Sequence, residues 1–192
     1  VGVFAPSGMG KTTLILMLAG LLRPDSGKIL VLNKELTRMS RKELALFRRR
    51  HIGIVFQFYN LIDSLNVLEN ILLPLEINGT PKREAVRRAY ELLEFVGLKD
   101  KAYLFPHKLS AGEQQRVALA RAVAHNPEII LADEPTGNLD ENNKHVVFSL
   151  LSRLNKDTKC TILVATHDVE LASKYVSRKI RIKGKKFLDY HD

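Results

Sequence analysis

The opening stretch "VGVFAPSGMGKTTLILMLAGLL", Val1 to Leu22, constrains the fold more than any other part of the chain. Four mostly apolar residues read as a buried strand, a turn containing two glycines follows, and a helical apolar pattern begins at once. The alternation continues. "KILVL" (Lys28–Leu32), "IGIVF" (Ile52–Phe56), "EIILA" (Glu128–Ala132) and "CTILVAT" (Cys160–Thr166) read as strands. The helices between them are Lys11–Leu22, stopped by Pro24 and the turn residues after it; Ser40–Arg50, with Ser40 as cap; and one capped by Asp140. That last helix carries a face of Val146, Val147, Leu150, Leu151 and Leu154, and Asp168 caps one more. Nearly continuous Val, Ile and Leu strands separated by helices predict an α/β fold with a mostly parallel sheet flanked by helices. The tail "RKIRIKGKKFLDY" is expected to form a hairpin turning at Lys183-Gly184.

Between the third and fourth of these strands lies a stretch without strand patterning. "NVLENILLPLEI" (Asn66–Ile77) is helical and interrupted by Pro74. "TPKREAVRRAYELLEFVG" has Thr80 as expected cap, Pro81 at the first helical position and Gly97 past the end. "KLSAGEQQRVALARA" (Lys108–Ala122) opens with Ser110 and Glu113 in the S-x-x-E spacing of a capping box. That box does not explain why Ala111 and Gly112 are small, nor why Gln114, Gln115 and Arg116 follow with long polar heads.

With 192 residues and 45% apolar content the chain can bury a full core. No apolar run is long enough to span a bilayer. The short apolar start lacks the basic leader of a signal peptide. Cys160 is the single cysteine, which leaves no intramolecular disulfide and no Cys-rich metal site; a buried, inert thiol in a reducing compartment is expected. The net charge of +9 suits an anionic partner. The run "FRRRH" (Phe47–His51) reads either as a contact patch or as a solvated helix end whose cations favour the helix dipole.

"APSGMGKTT" follows a strand and opens a helix, the context of a phosphate-binding loop. Ala5, Pro6, Ser7, Gly8, Met9, Gly10, Lys11, Thr12 and Thr13 form it. Gly8 and Gly10 let backbone N–H groups point inward, Lys11 supplies charge for β- and γ-phosphates, and the Thr12 hydroxyl is placed for Mg²⁺. Ala5 stands where the usual pattern begins with Gly. "IILADEP" ends an apolar strand in two carboxylates, and ligands of open α/β sheets bind at the carboxyl ends of strands. Asp133 is thus placed to hold Mg²⁺, directly or through water, and Glu134 to orient or deprotonate a water. Gln57 and His167 each close a strand; alone, the first reads as surface and the second as structural. Together, four strands deliver polar groups to one edge of one sheet.

These residues, in this order, resemble the nucleotide-binding domain of an ABC transporter. The match runs over essentially the whole chain: phosphate loop at Ala5–Thr12, Q-loop at Gln57, signature "LSAGE" at Leu109–Glu113, Walker B at Ile129–Glu134, D-loop at Asn138–Asp140 and H-loop at His167. "LADEPTGNLD" and "NVLENILLPLEI" are similar to the subgroup serving lipoprotein release, macrolide and antimicrobial-peptide export, and cell division. The resemblance implies one P-loop NTPase domain over residues 1–192, with 1–57 and 128–182 as core and 58–127 as a helical signature subdomain.

It further implies Mg²⁺-dependent ATP hydrolysis at two sites, each sandwiched between head-to-tail domains in a homodimer or paired assembly. Glu134, His167 and Lys11 would be catalytic, and Thr12, Gln57 and Asp133 would hold the metal. Ser110, Gly112 and Glu113 would face the γ-phosphate bound by the partner, with Asp140 linking the two sites. Ala111 replaces the usual Gly and is tolerated if its φ stays negative. The partner would be a transmembrane permease, no nucleic acid, and the place the inner face of the cell membrane; the alternative, which the basic charge suits, is a soluble ABC-type ATPase acting on nucleic acid or ribosomes. "FYNLIDSL" (Phe58–Leu65) reads as a wall of the permease groove or as core. Family members carry an antiparallel β part and an adenine-stacking aromatic before the phosphate loop; this chain is expected to be truncated ahead of them.

Overall fold

The structure, a computed structural model, describes residues 1–183 and 186–189. Its main sheet contains β1 (Gly2–Phe4), β4 (Ile52–Val55), β5 (Ile129–Asp133), β6 (Thr161–Thr166), β7 (Lys179–Lys183) and β8 (Lys186–Asp189). The spatial order is β4-β5-β6-β1-β7-β8. All neighbours pair parallel except β7 and β8, which pair antiparallel. The expected tail hairpin is therefore present as two paired strands, while Gly184 of its turn lies outside the described residues.

Side chains along each central strand alternate between two covered faces, as the period of two requires. Ile130, Ala132, Ile162 and Val164 join one core with Phe4 and Val55. That core receives α3 (Val67–Ile77), α4 (Lys82–Phe95), α5 (Ala111–Val123), α6 (Glu141–Thr158) and α7 (Val169–Ser173). Leu131 and Ala165 face the other way and meet Ile15 of α1 (Lys11–Leu18) and Leu44 and Phe47 of α2 (Arg41–His51). Each fully buried Leu, Ile, Val or Phe on either face stabilises the fold by roughly 1.5–3 kcal/mol.

Several local expectations are corrected. The first helix ends at Leu18, not Leu22. Gly20 adopts φ 63° and the N–H groups of Leu21 and Leu22 both reach back to Leu16 O, so glycine rather than Pro24 stops it. The strand expected at Lys28–Leu32 is only Leu30–Val31 (β2), and it lies outside the main sheet. Leu32 and Asn33 both take positive φ and fold it back on β3 (Lys34–Glu35) as a two-stranded antiparallel ribbon.

Pro74 does not interrupt α3, which runs through it. A proline forfeits one backbone bond, and the helix is held by its buried face of Val67, Leu68, Ile71 and Leu75. Thr80 does not cap α4; Pro81 occupies the cap position and no side chain bonds there. On α6, Val146, expected on the apolar face, is 40% exposed, and Phe148, not expected there, is buried in the core instead. Ser40, Asp140 and Asp168 cap their helices as expected. Cys160 is buried. Among the described residues no helix is long and apolar enough to cross a membrane.

Candidate functional site

The segments that follow β1, β4 and β5 line a cavity of about 340 Å³ with Ser7, Gly8, Gly10, Lys11, Thr12, Thr13, Gln57 and Glu134, and the end of β6 joins it only through His167 on Glu134. The phosphate loop reaches this shape through its backbone. Gly8 and Gly10 stand at φ 78° and 84°, a region that costs other residues about 1–2 kcal/mol. Gly10 is the N-cap of α1, so the free amides of the first turn open toward the cavity. Ala5 is buried, and its carbonyl accepts from Lys11 Nζ at 2.6 Å. Lys11 Nζ also donates to Pro6 O at 3.1 Å and pairs with Glu134 Oε1 at 3.0 Å.

Glu134 is the first residue past β5 and sits at φ 44° with its N–H on Ala165 O. A non-glycine residue held there is strained, a feature that clusters at functional sites. Its Oε2 accepts from the backbone N–H of His167 at 3.3 Å and lies 3.0 Å from His167 Nδ1. Burial pushes the carboxyl up, but hydrogen bonds from His167 and Lys11, the Lys11 charge and Thr166 outweigh it and hold it below the ordinary glutamate range. Both oxygens are engaged, by the cation on one side and the imidazole on the other.

Asp133, one residue earlier, behaves oppositely. Burial and the neighbouring Glu134 charge push it up, against a hydrogen bond from Thr12 and the Lys11 charge. Its Oδ1 is buried with no partner. An orphaned carboxylate oxygen beside a threonine hydroxyl is a donor set that fits Mg²⁺, which takes one or two carboxylates and completes its shell with water and substrate phosphates. Among the described residues no cluster of three or more His, Cys, Asp or Glu could hold a metal without such help. The Gln57 amide lies against Gly137, where a Cβ would come within 2.9 Å of Nε2.

Ser110, Gly112, Glu113 and Asp140 do not line this cavity. They gather at the start of α5. Ser110 Oγ accepts from Glu113 N at 3.4 Å and Ser110 N donates to Glu113 Oε2 at 3.0 Å, the expected capping box. Lys101 adds an ion pair to Glu113, and these contacts hold its carboxyl low. Ala111 has no positive φ, so its methyl is accommodated. Asp140 Oδ1 accepts from Asn143 N at 2.9 Å, and Asn143 Nδ2 donates to Asp140 Oδ2 at 2.6 Å. A Cβ on Gly112 would lie 2.1 Å from Asn143 Oδ1. Gly112 therefore has a reason to be small inside its own chain.

The long polar heads after the box have partners that sequence reading missed. Gln114 Nε2 bonds Leu109 O, and Arg116 Nη1 reaches Asn143 Oδ1 at 3.4 Å. Gln115 turns inward and is fully buried. Arg121 donates to Tyr59 O and Asn60 O at 2.9 and 2.6 Å. The only signal in the sequence was a run of large polar residues on a helix otherwise rich in alanine. Of the Phe58–Leu65 stretch, Phe58 is 70% exposed, while Leu61 packs on the core. The Phe47–His51 run is the last turn of α2, with Arg48 bonded to Gly20 O and His51 paired with Glu128.

The chain is similar to known proteins of one family. A family model described as "ABC transporter" matches residues 1–137. The lipoprotein-releasing system ATP-binding protein LolD of Bacteroides fragilis is 46% identical over 172 residues, spanning 90% of this chain and 80% of that protein. A solved dimer of a bacterial ABC transporter cassette superposes with a TM-score of 0.89 at 37% identity, covering all of this chain and 85% of its own. The same cassette in a post-hydrolysis state bound to ADP and Pi superposes at 0.88 with 36% identity, again over all of this chain and 85% of its own. The chain belongs to the ABC transporter family, and within it to the ATP-binding, ATP-hydrolysing cassettes.

Proposed function

We propose that the chain is the ATPase subunit of an export- or extrusion-type transporter, working as a head-to-tail pair on the inner face of the membrane beneath a permease. The observation that carries this reading is the single cluster of Lys11, Glu134 and His167, with Lys11 Nζ and His167 Nδ1 each 3.0 Å from one Glu134 oxygen. Residues 1–57 and 128–182 act as the catalytic core and 58–127 as a helical subdomain. The resemblance to a lipoprotein-releasing ATP-binding protein supports export, and the dimeric state of the solved cassette supports pairing. Exposed Phe58 suits the wall of a permease groove.

The turn of Gly8 and Gly10 cradles the triphosphate with backbone amides, and Lys11 turns to the β- and γ-phosphates. That turn has a consequence for Glu134. Lys11 supplies two of the influences that depress its proton affinity, so release of Lys11 raises the basicity of the carboxylate that must take a proton from water. Phosphate binding and base activation are then one movement. His167 keeps Glu134 oriented through Oε2. Thr12, Asp133 and Gln57 would hold Mg²⁺, whose chemistry is to neutralise charge on the phosphate oxygens. The Ser110 hydroxyl of a second copy, with the first-turn amides that its capping box leaves free, closes over the γ-phosphate, and Asp140 braces that copy's signature through Asn143.

A Glu134→Gln variant given ATP and Mg²⁺ should sediment as a dimer, while the parent with ADP stays monomeric. A variant that remains monomeric at saturating ATP sinks the paired-site reading.

A further inference from the structure

Gln115 is 0% exposed, on the inner side of α5. Its Nε2 donates to Pro135 O at 2.7 Å and to Phe56 O at 3.3 Å. Pro135 directly follows Glu134, and Phe56 directly precedes Gln57. One amide nitrogen therefore bridges the backbone beside Glu134 and the backbone beside Gln57. Its Oε1 is buried and has no partner. A methionine there would fill similar volume without an orphaned Oε1 but would withdraw the donor from Pro135 O and Phe56 O, so what the amide adds over apolar packing is its two donated bonds.

The second anchor on the same helix acts close by. Arg121 holds Tyr59 O and Asn60 O, and those two residues carry φ of 60° and 49°. The backbone around Gln57 is thus gripped from α5 on both sides, one residue before it and two and three residues after. Glu134 is gripped from α5 by Gln115, one residue past it. The helix that presents Ser110 at its N-terminus is tied by side chains to both polar strand ends.

We infer that Gln115 is a positioning residue for ATP hydrolysis: it fixes Glu134 and Gln57 to the signature helix, so that the placement of Ser110 and the placement of the base are set together. The inference rests on the assignment of Glu134 as base. Full turnover in Glu134→Gln removes that assignment, whereas full turnover in Gln115→Met removes this inference alone.

The test measures steady-state turnover, ATP affinity and amide hydrogen exchange in Gln115→Met. Turnover should fall roughly tenfold or more, as small misplacements of catalytic groups do, with ATP affinity unchanged. The amides of Tyr59 and Gly137, bonded to Phe56 O and Glu134 O, should exchange faster while those of β5 and β6 keep their protection. Parental turnover, or faster exchange spread evenly over the sheet, overturns the proposal. Should Gln115→Met fail to fold, Gln115→Glu decides it through its pH profile. A buried carboxyl titrates high; protonated, it donates one O–H to a carbonyl, and ionised it donates none. Its turnover relative to the parent should rise as pH falls, and a flat ratio overturns the proposal.

Discussion

Gly8 and Gly10 stand at φ 78° and 84°, and a Cβ at either would meet nothing within 4 Å. Gly112 is an ordinary helical residue, and a Cβ there would collide with Asn143. The two turns assigned to face the triphosphate thus use glycine for unrelated reasons. The phosphate loop is shaped by its own backbone, with Lys11 folded onto carbonyls five and six residues back. The start of α5 is shaped by side chains from elsewhere: Lys101 on Glu113, Asn143 against Gly112, and Arg116 on Asn143. A site built by local backbone tolerates changes around it; a site built by packed side chains transmits them.

The largest effect should come from the point where the two sides meet. Glu134→Gln keeps the shape but loses the proton acceptor, so turnover should drop at least about a hundredfold. ATP affinity, measured by titration with a fluorescent analogue, should hold or rise, because Lys11 no longer has a carboxylate to leave. A loss of binding as large as the loss of turnover would mean that the carboxylate builds the loop, and the contrast between the two sides would fail.

The glycines give a sharper test. Gly10→Ala should cost about 1–2 kcal/mol in denaturant unfolding, since the left-handed backbone itself is penalised, and no second substitution should recover it. Gly112→Ala should cost about 1 kcal/mol, because Asn143 must leave its place on the Asp140 cap. In the Asn143→Ala background most of the penalty for Gly112→Ala should vanish. Additive costs for Gly112 and Asn143 would show that they do not share one space.

The same contrast explains what could be read from sequence. The phosphate loop, the Walker B strand and the caps at Ser40, Ser110, Asp140 and Asp168 were legible because each depends on neighbours within a few residues. The main sheet was legible because its strands are continuous apolar runs between helices. The ribbon at Leu30–Glu35 was not, because a left-handed pair at Leu32 and Asn33 decides it, and leucine there gives no turn signal. Proline at 74 signalled a break that packing overrode. The duties of Gln115 and Arg121 were illegible for a simpler reason: their partners lie 20 and 59, and 61 and 62, residues away. Nothing local marks a buried amide as a bridge.

The smallest effect belongs to Asp133, and its sign is opposite to that of Glu134. A carboxyl raised by burial disfavours its ionised form in the folded state. At neutral pH that is a cost to stability, so Asp133→Asn should stabilise the nucleotide-free protein by about 0.5 kcal/mol, at the low end of such gains. The gain should fade as pH falls through the raised folded value toward the ordinary 3.8, where both states are protonated. Glu134, depressed in the folded state, contributes stability above its ordinary 4.5 that disappears as pH falls below it. Asp133→Asn and Glu134→Gln should therefore shift the thermal midpoint in opposite directions at pH 7, and both shifts should shrink in acid. A destabilised Asp133→Asn at pH 7 would mean that the Thr12 and Lys11 contacts outweigh burial, and that the orphaned oxygen is not the one waiting for a cation.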